Sequence, residues 1–391
     1  MVTRVSDGIV PVIMWLNFRG RVSMRKVFNH CLVLLCLPFS MAVQGATVLF
    51  LNPGYTDETF WVSYSTFMQA AARDLGMQLE VQYSQRSPER AIEQARTALQ
   101  GQHRPDYLIF VNEQYIAPQI LRLSQGSGVK LFMVNNGLTR EQAQLIGPDD
   151  AQYAGWLGSM VTNDEEGGYL MLKELIRQRG PIEPGHTLDL LAFSGVKNTP
   201  ASRWREKGMK RALSEHPQVR LRQMVYGEWN QQRAYEQARL LFKRYPDTAL
   251  VWSANDEMAF GAMRAAQEAG HTPGSDILFS AVNSSIPALE SRISGRLSAL
   301  VAGHFTLGGW AMVLLNDDSK GVDFKRFGGR DRQVPVLQLL NAEQAATLLK
   351  VIRSQAFNLP FTSFSAQGKP GNYRYPFTLD SLLHMPQTPA K

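Results

Sequence analysis

Residues 249–270, ALVWSANDEMAFGAMRAAQEAG, constrain the fold of this chain more than any other stretch. The apolar run from Ala249 to Trp252 reads as a buried strand. A polar cluster follows, Asn255, Asp256 and Glu257. Met258, Ala262, Ala265 and Ala269 then recur on one side of a helix, and Gly270 stops it. Polar side chains are thereby placed at the carboxyl end of a strand and the amino end of a helix. Open α/β sheets bind their ligands at that place. A plainer reading is also available: Asn255 and Asp256 only cap the helix.

The same alternation recurs along the chain. Thr47 to Leu51 reads as a strand, and Phe60, Trp61, Tyr64, Phe67, Met68, Ala71, Ala72 and Leu75 recur at helical spacing up to Gly76. Met77 to Val81 is the next strand. Ser87-Pro88 opens a helix with a cap followed by a proline in the first turn. Tyr107 to Val111 and Val129 to Val134 are continuous apolar runs, which suit parallel strands covered on both faces. The pattern then restarts: helix 165–179, strand 188–193, helix 200–215, strand 219–226, helix 230–243, strand 249–253, helix 256–269, strand 277–282, helix 286–294 and strand 297–302. The expectation is an α/β chain with two successive βαβ blocks, hence two Rossmann-like lobes with parallel sheets. The last stretch, 356–391, is rich in Pro, Phe and Tyr and is expected to lie along the surface.

The amino end reads as an export signal. Met24-Arg25-Lys26 is a short basic start, Val27 to Phe39 is mostly apolar, and Ser40-Met41-Ala42 or Val43-Gln44-Gly45 offers small residues for cleavage. The apolar core is shorter than the about 20 residues of a membrane span. Translation is expected to begin at Met24. Both cysteines, Cys31 and Cys36, fall inside the signal, so the exported chain has no disulfide framework and no thiol chemistry. Leu35 before Cys36 fits poorly with lipid attachment. Of the net charge of +7, residues 1–42 carry +4 and the remainder +3. With no basic block interleaved with aromatics, nucleic acid is not an expected partner. The later apolar segments are too short to span a membrane.

On these residues the chain to about 355 resembles the type I periplasmic binding proteins, the ribose- and galactose-binding class. Asn255 and Asp256, in the wording NDEMA, match a ligand-contacting motif there. The first strand–helix connection, Asp57-Glu58-Thr59-Phe60-Trp61, resembles a turn in which two aromatics line the sugar, so the resemblance gives Glu58, Phe60 and Trp61 to the site. Asn112 follows the strand ending at Val111, and Asn135 and Asn136 follow the strand ending at Val134, where the family has polar contacts. Arg205, three residues before Gly208, matches an arginine that binds ligand hydroxyls. Trp229 falls at the aromatic of the second lobe, and Asn283 stands where sugar binders often carry an aspartate. Several have a plainer alternative. Phe60, Trp61 and Trp229 fit a core, Arg205 fits an ion pair with Glu206 or Glu228, and Asn135 and Asn283 fit turns.

The resemblance implies two lobes joined by a three-strand hinge near Thr162 to Asp164, Ala302 to Phe305 and Gln333 to Pro335. It divides the chain into a leader and signal peptide, 1–45; an amino-terminal lobe, 46–162 plus 304–332; a carboxy-terminal lobe, 163–303 plus 333–355; and a tail, 356–391. Aromatic rings cover the C–H faces of a sugar, and planar Asn, Asp and Arg groups pair with its hydroxyl rim. A closing cleft excludes water. Asn52-Pro53-Gly54 with Trp61, the single Asn135 and the long connection Gly137 to Gly158 resemble most closely the autoinducer-2 receptor subgroup. That subgroup holds a furanosyl diester between two arginines. The second falls near Gly303 here and is absent, with His304 beside it. A neutral polyol or sugar-like ligand fits better.

No nucleophile elbow, phosphate loop or zinc-protease pair occurs, and the seven histidines are scattered. The expectation is a periplasmic solute-binding protein, not an enzyme, with no cofactor and no metal. Its partners are a sugar-like ligand and an inner-membrane ABC permease, or a membrane sensor such as a histidine kinase.

Overall fold

The computed structural model describes residues 45–147, 150–355 and 357–384. The export signal, its two cysteines and the Met24 start lie outside the described residues. β1 (Thr47–Asn52), α1 (Thr59–Leu75), β2 (Gln78–Tyr83), α2 (Pro88–Gln100), β3 (Tyr107–Val111), α3 (Ala117–Leu123), β4 (Lys130–Asn135), α4 (Arg140–Ile146) and β5 (Trp156–Thr162) come first. Then follow α5 (Asp164–Arg179), β6 (Leu188–Ser194), α6 (Pro200–Glu215), β7 (Val219–Tyr226), α7 (Gln231–Arg244), β8 (Thr248–Ser253), α8 (Asp256–Glu268), β9 (Leu278–Val282), α9 (Ile286–Ile293) and β10 (Ala299–Ala302). α10 (Leu307–Ser319), β11 (Asp331–Val334), β12 (Gln338–Leu340), α11 (Ala342–Ser354) and α12 (Asp380–Leu383) complete the described chain.

Two six-stranded sheets result, in the orders β2-β1-β3-β4-β5-β11 and β7-β6-β8-β9-β10-β12. Neighbours are parallel except β10 and β12, which are antiparallel. This is the α/β architecture of two parallel-sheet lobes. Apolar residues dominate the central strands: Tyr107–Val111 and Leu278–Val282, the latter with Ser280 at its centre, are buried at every residue. Helices start where the caps stand. Ser87 accepts the amide of Arg90 ahead of Pro88, and Asn255 accepts the amide of Met258. The chain passes between the sheets from β5 to α5, from β10 to α10, and from β11 to β12. In each sheet the strand order turns back once, between β1 and β3 and between β6 and β8. Such switch points open a crevice at the strands' carboxyl ends.

One stretch differs from the sequence expectation, and another carries no local signal. The connection from Gly137 to Gly158 contains α4, started by a capping box between Thr139 and Gln142, and its last residues begin β5. α10 carries no amphipathic period because Leu307 to Leu315 is buried without interruption between the first sheet and the tail.

The tail also departs from expectation. Phe361, Phe377 and Leu379 are buried rather than spread over the surface. The Phe377 ring stacks on Trp310 at 5.1 Å and 13°, and Phe361 and Phe364 pack against the same indole. Asp317, buried two turns beyond on α10, accepts the Ser365 hydroxyl, the Ala366 amide at 2.8 Å and the Tyr375 hydroxyl at 2.6 Å. The aromatic composition of the tail supplies core to the first lobe and a folded polar anchor. Trp310→Ala is therefore expected to cost about 3–5 kcal/mol. Urea unfolding of the variant measures this, and a loss below about 1 kcal/mol would show that the tail contributes no core there.

Candidate functional site

The carboxyl ends of the two sheets enclose a narrow cavity with about 50 Å³ of free space. This is well below the about 300–1,000 Å³ typical of small-molecule sites. Glu58, Phe60 and Trp61 reach it from the β1–α1 connection, and Arg86 from the β2–α2 connection. Glu113 follows β3, and Asn135 and Asn136 end and follow β4. From the second sheet come Thr199, Ala201 and Arg205 after β6, Trp229 after β7, Asn255 after β8, Asn283 after β9 and His304 after β10. A groove with about 450 Å³ of free space alongside shares Asn135, Asn136 and Ala201, but it follows β5, β11 and the start of α6. The smaller cavity is where polar groups from both switch points converge.

Nine of the eleven expected site residues line this cavity: Glu58, Phe60, Trp61, Asn135, Asn136, Arg205, Trp229, Asn255 and Asn283. Asn112 and Asp256 do not; both stand behind it and hold others in place. The Asn112 side chain donates to the Gly137 carbonyl at 2.8 Å and to Gln142, and accepts the Ala117 amide. Asp256 is fully buried and accepts from Asn283 Nδ2 at 2.8 Å and from the Ser285 hydroxyl. Asn255 combines both of its readings, since it caps α8 and lines the cavity.

Close helix packing positions Arg205. A side chain at Gly168 on α5 would fall 2.1 Å from the Arg205 carbonyl, and one at Gly208 on α6 would fall 1.9 Å from the Glu165 carbonyl. These two small residues let α5 and α6 touch backbone to backbone. Arg205 Nε then donates to Asp164 at 2.7 Å and Nη1 to the Ala254 carbonyl at 2.7 Å. The Trp229 ring lies 5.7 Å from the guanidinium, within cation–π range. Trp229 reaches this place from a left-handed backbone, φ 63°, which non-glycine residues adopt only when their surroundings hold them there. The ion-pair alternative for Arg205 is thus realised with Asp164, not with Glu206 or Glu228.

Sequence reasoning missed Arg86, Glu113 and Thr199. Arg86 pairs with Glu58 and, at 3.2 Å, with Glu113. Burial works against the Arg86 charge, but Glu113 and Glu58 outweigh it and raise its pKa. Glu113 also accepts the Thr199 hydroxyl at 3.0 Å and Asn136 Nδ2 at 3.1 Å. Its burial raises the carboxyl pKa against the opposing pull of Arg86 and these donors. Asn136 Oδ1 accepts the Ala201 amide at 3.1 Å. Glu113–Thr199 and Asn136–Ala201 therefore join the two lobes across the cavity. Glu113 sits directly after Asn112, so position at a strand's carboxyl end could have pointed to it. Arg86 lies before a helix cap and carries no such mark.

Residues 48–317 match the periplasmic binding protein domain family. The chain belongs to this family. Its members bind solutes and do not transform them, and this periplasmic binding protein falls in the type I, ribose- and sugar-binding class. A crystal structure of a periplasmic sugar-binding protein from Pseudomonas fluorescens is 58% identical, covering 86% of this chain and 99% of that one with a TM-score of 0.81. The ribose import binding protein RbsB of Haemophilus influenzae is 22% identical over 270 residues, 69% of this chain and 84% of the relative. The binding-protein component of the arabinose ABC transporter from Shewanella sp. ANA-3, bound to L-arabinofuranose, shares the fold at 22% identity and a TM-score of 0.67, covering 79% of this chain and 96% of that one. Among the described residues no helix is long and apolar enough to cross a membrane, and no cluster of His, Cys, Asp or Glu is arranged to hold a metal.

One carboxylate beside the site gives a pH test. Burial, then Asp256, then Glu58 push Glu257 up to about 7. The folded binding protein holds a proton there that the unfolded chain releases near pH 4.5. Stability from this group is therefore present at low pH and lost as pH rises through 7. Glu257→Gln is expected to unfold at higher urea than wild type at pH 8 and at nearly the same urea at pH 4.5. Equal midpoints at both pH values would remove this assignment.

Proposed function

We propose that the protein captures one small, uncharged sugar-like or polyol ligand between its lobes in the periplasm and delivers it to an inner-membrane ABC importer. The observation that carries this reading is the cavity wall. Phe60, Trp61 and Trp229 offer aromatic surface, and Asn135, Arg205 and Asn255 offer planar polar groups around it. The cavity cations are already paired, Arg86 with Glu58 and Glu113, and Arg205 with Asp164. Aromatic faces with a polar rim suit a ring with C–H faces and hydroxyl edges. The 58% identical relative from Pseudomonas fluorescens is described as sugar-binding, which supports the same ligand class. In this reading the lobes comprise 46–162 plus 304–332 and 163–303 plus 333–355. They open and close about the crossings near Thr162–Asp164, Ala302–Phe305 and Gln333–Pro335. Residues 1–45 direct export and are removed.

A second reading is a ligand-sensing receptor whose closed form engages a membrane sensor protein, such as a histidine kinase. The resemblance of Asn52-Pro53-Gly54 and Trp61 to the autoinducer-2 receptor subgroup favours it. Asn52 is buried there, and its side chain accepts the Gly54 amide at 2.9 Å and donates to the Trp61 carbonyl, shaping the entry to α1. The two readings share the site and differ in the partner. Copurification with a permease–ATPase pair supports the importer; capture by a sensor's periplasmic domain only in the presence of ligand supports the receptor.

Isothermal titration of the exported form against neutral monosaccharides tests the site. Trp229→Ala is expected to weaken the best ligand at least tenfold, about 1.4 kcal/mol, with the fold retained. Trp229 is preferred over Arg205 for this purpose because removing Arg205 strands the buried Asp164 carboxylate. Unchanged affinity in the Trp229 variant would exclude the second-lobe aromatic from the site.

A further inference from the structure

The tail after α11 does not stay on one lobe. α11 itself lies with the second sheet, against α9 and β12, and Arg353 near its end pairs with Glu290 of α9. Four residues later the chain is on the first lobe: the Phe357 ring is 5.1 Å from Phe67 of α1 and 6.0 Å from Phe305. It is fastened there at several points. The Thr362 amide donates to Asp74 of α1 at 3.1 Å, and Trp310 and Asp317 hold the stretch from Phe361 to Phe377 on α10.

Between Phe377 and Asp380 the chain returns. Leu379 is fully buried. A side chain at Gly303 would fall 2.0 Å from the Val336 carbonyl and 3.2 Å from Leu379 Cβ. The passage after β10, the passage between β11 and β12, and the tail therefore run side by side at that point. α12 then packs on α11, with Leu382 1% exposed, and Asp380 accepts from Gln338 Nε2 of β12 at 3.3 Å. The tail thus adds an outward and a return passage to those made between the sheets.

Both joints are short. An extended residue spans at most about 3.3–3.6 Å, so the three steps from Phe377 to Asp380 reach at most about 11 Å. The two ends of that joint are held by buried side chains, Phe377 on Trp310 and Leu382 on α11, and no loose loop lies between them. A rotation of one lobe against the other must be absorbed within these few residues or must draw Leu382 into water, which the hydrophobic effect opposes. The fastenings are unequal. The first lobe holds the tail by three aromatic rings and a buried carboxylate. The second holds it by a helix of four residues, too short to persist without its packing. α12 is the point at which the tail lets go first.

We propose that residues 357–384 form a strap beside the passages between the lobes, fastened to α10 and, through α12, to α11, which limits how far the lobes open in the absence of ligand. This rests on the lobe movement in the proposed function. With a narrower open form, a ligand has a smaller conformational difference to overcome.

The test is the distance between the lobes in the ligand-free exported form, read by double electron–electron resonance. Residues 46–391 contain no cysteine, so Asp57→Cys and Gln232→Cys, both exposed and each beside the cavity on its own lobe, place one spin label on each. Leu382→Asp puts a charge where α12 docks and is expected to lengthen the mean separation by at least about 5 Å. Leu382→Ala is expected to lengthen it by less, and carries the test if the aspartate variant does not fold. Leu241→Ala removes buried surface from α7 in the second lobe and is expected to keep the wild-type separation. A wide wild-type distribution that neither Leu382 variant changes overturns the strap and leaves the lobe movement standing. One narrow separation shared by wild type and both variants removes the lobe movement and the strap with it. An equal lengthening in Leu241→Ala also overturns the strap, because lost stability alone would then account for the change.

Discussion

The buried ion pair between Arg205 and Asp164 is the constraint on which the rest of the site depends. Asp164 opens α5 at the first passage between the sheets, and the Thr162 hydroxyl donates to it. Arg205 comes from α6 and also holds the Ala254 carbonyl just past β8. One guanidinium therefore ties together a crossing, a helix and the end of a central strand. Both side chains are about 95% buried, where an unpaired charge costs several kcal/mol. The pair is possible only because Gly168 and Gly208 let α5 and α6 approach to backbone contact. Trp229 is then set against the guanidinium, which completes the second-lobe wall.

Across the cavity the first lobe solves the same problem differently. Arg86 is shared by two carboxylates, and Glu113 spends its oxygens on Arg86, Asn136 and Thr199. Two of the bonds near Glu113 reach the other lobe. Each neutral hydrogen bond contributes about 1 kcal/mol net, so these contacts hold the lobes together only modestly. A ligand that bridges both walls adds interaction present only in the closed arrangement, and that difference is what shifts the population. The tail contributes elsewhere: through Trp310 and Asp317 it packs onto α10 of the first lobe.

Much of this was legible in the chain itself. Apolar runs of five or six residues became central strands, and Ser87-Pro88 and Asn255 became helix starts, because both signals are local. α4 and α10 were not legible: α4 is two turns long, and α10 is buried on all sides and has no polar face to betray its period. The tail misled because aromatic residues near prolines give no periodicity, although their packing on Trp310 is extensive.

For the site, the family resemblance together with position near strand ends supplied the candidates: Asn135, Asn255 and Asn283 stand at or just past a strand's carboxyl end, Trp229 lies three residues past one, Phe60 and Trp61 lie in the first turn of the helix after β1, and all line the cavity. That holds because parallel strands put every carboxyl end on one edge. Which of those polar groups stays available was decided only in three dimensions. Asn112 and Asp256 turn back to brace loops and helices, Asn136 is consumed in joining the lobes, and Arg86, from a loop with no motif, is drawn in by two carboxylates. A hydrogen bond depends on where its partner's backbone has been carried by the fold, and no local pattern encodes that.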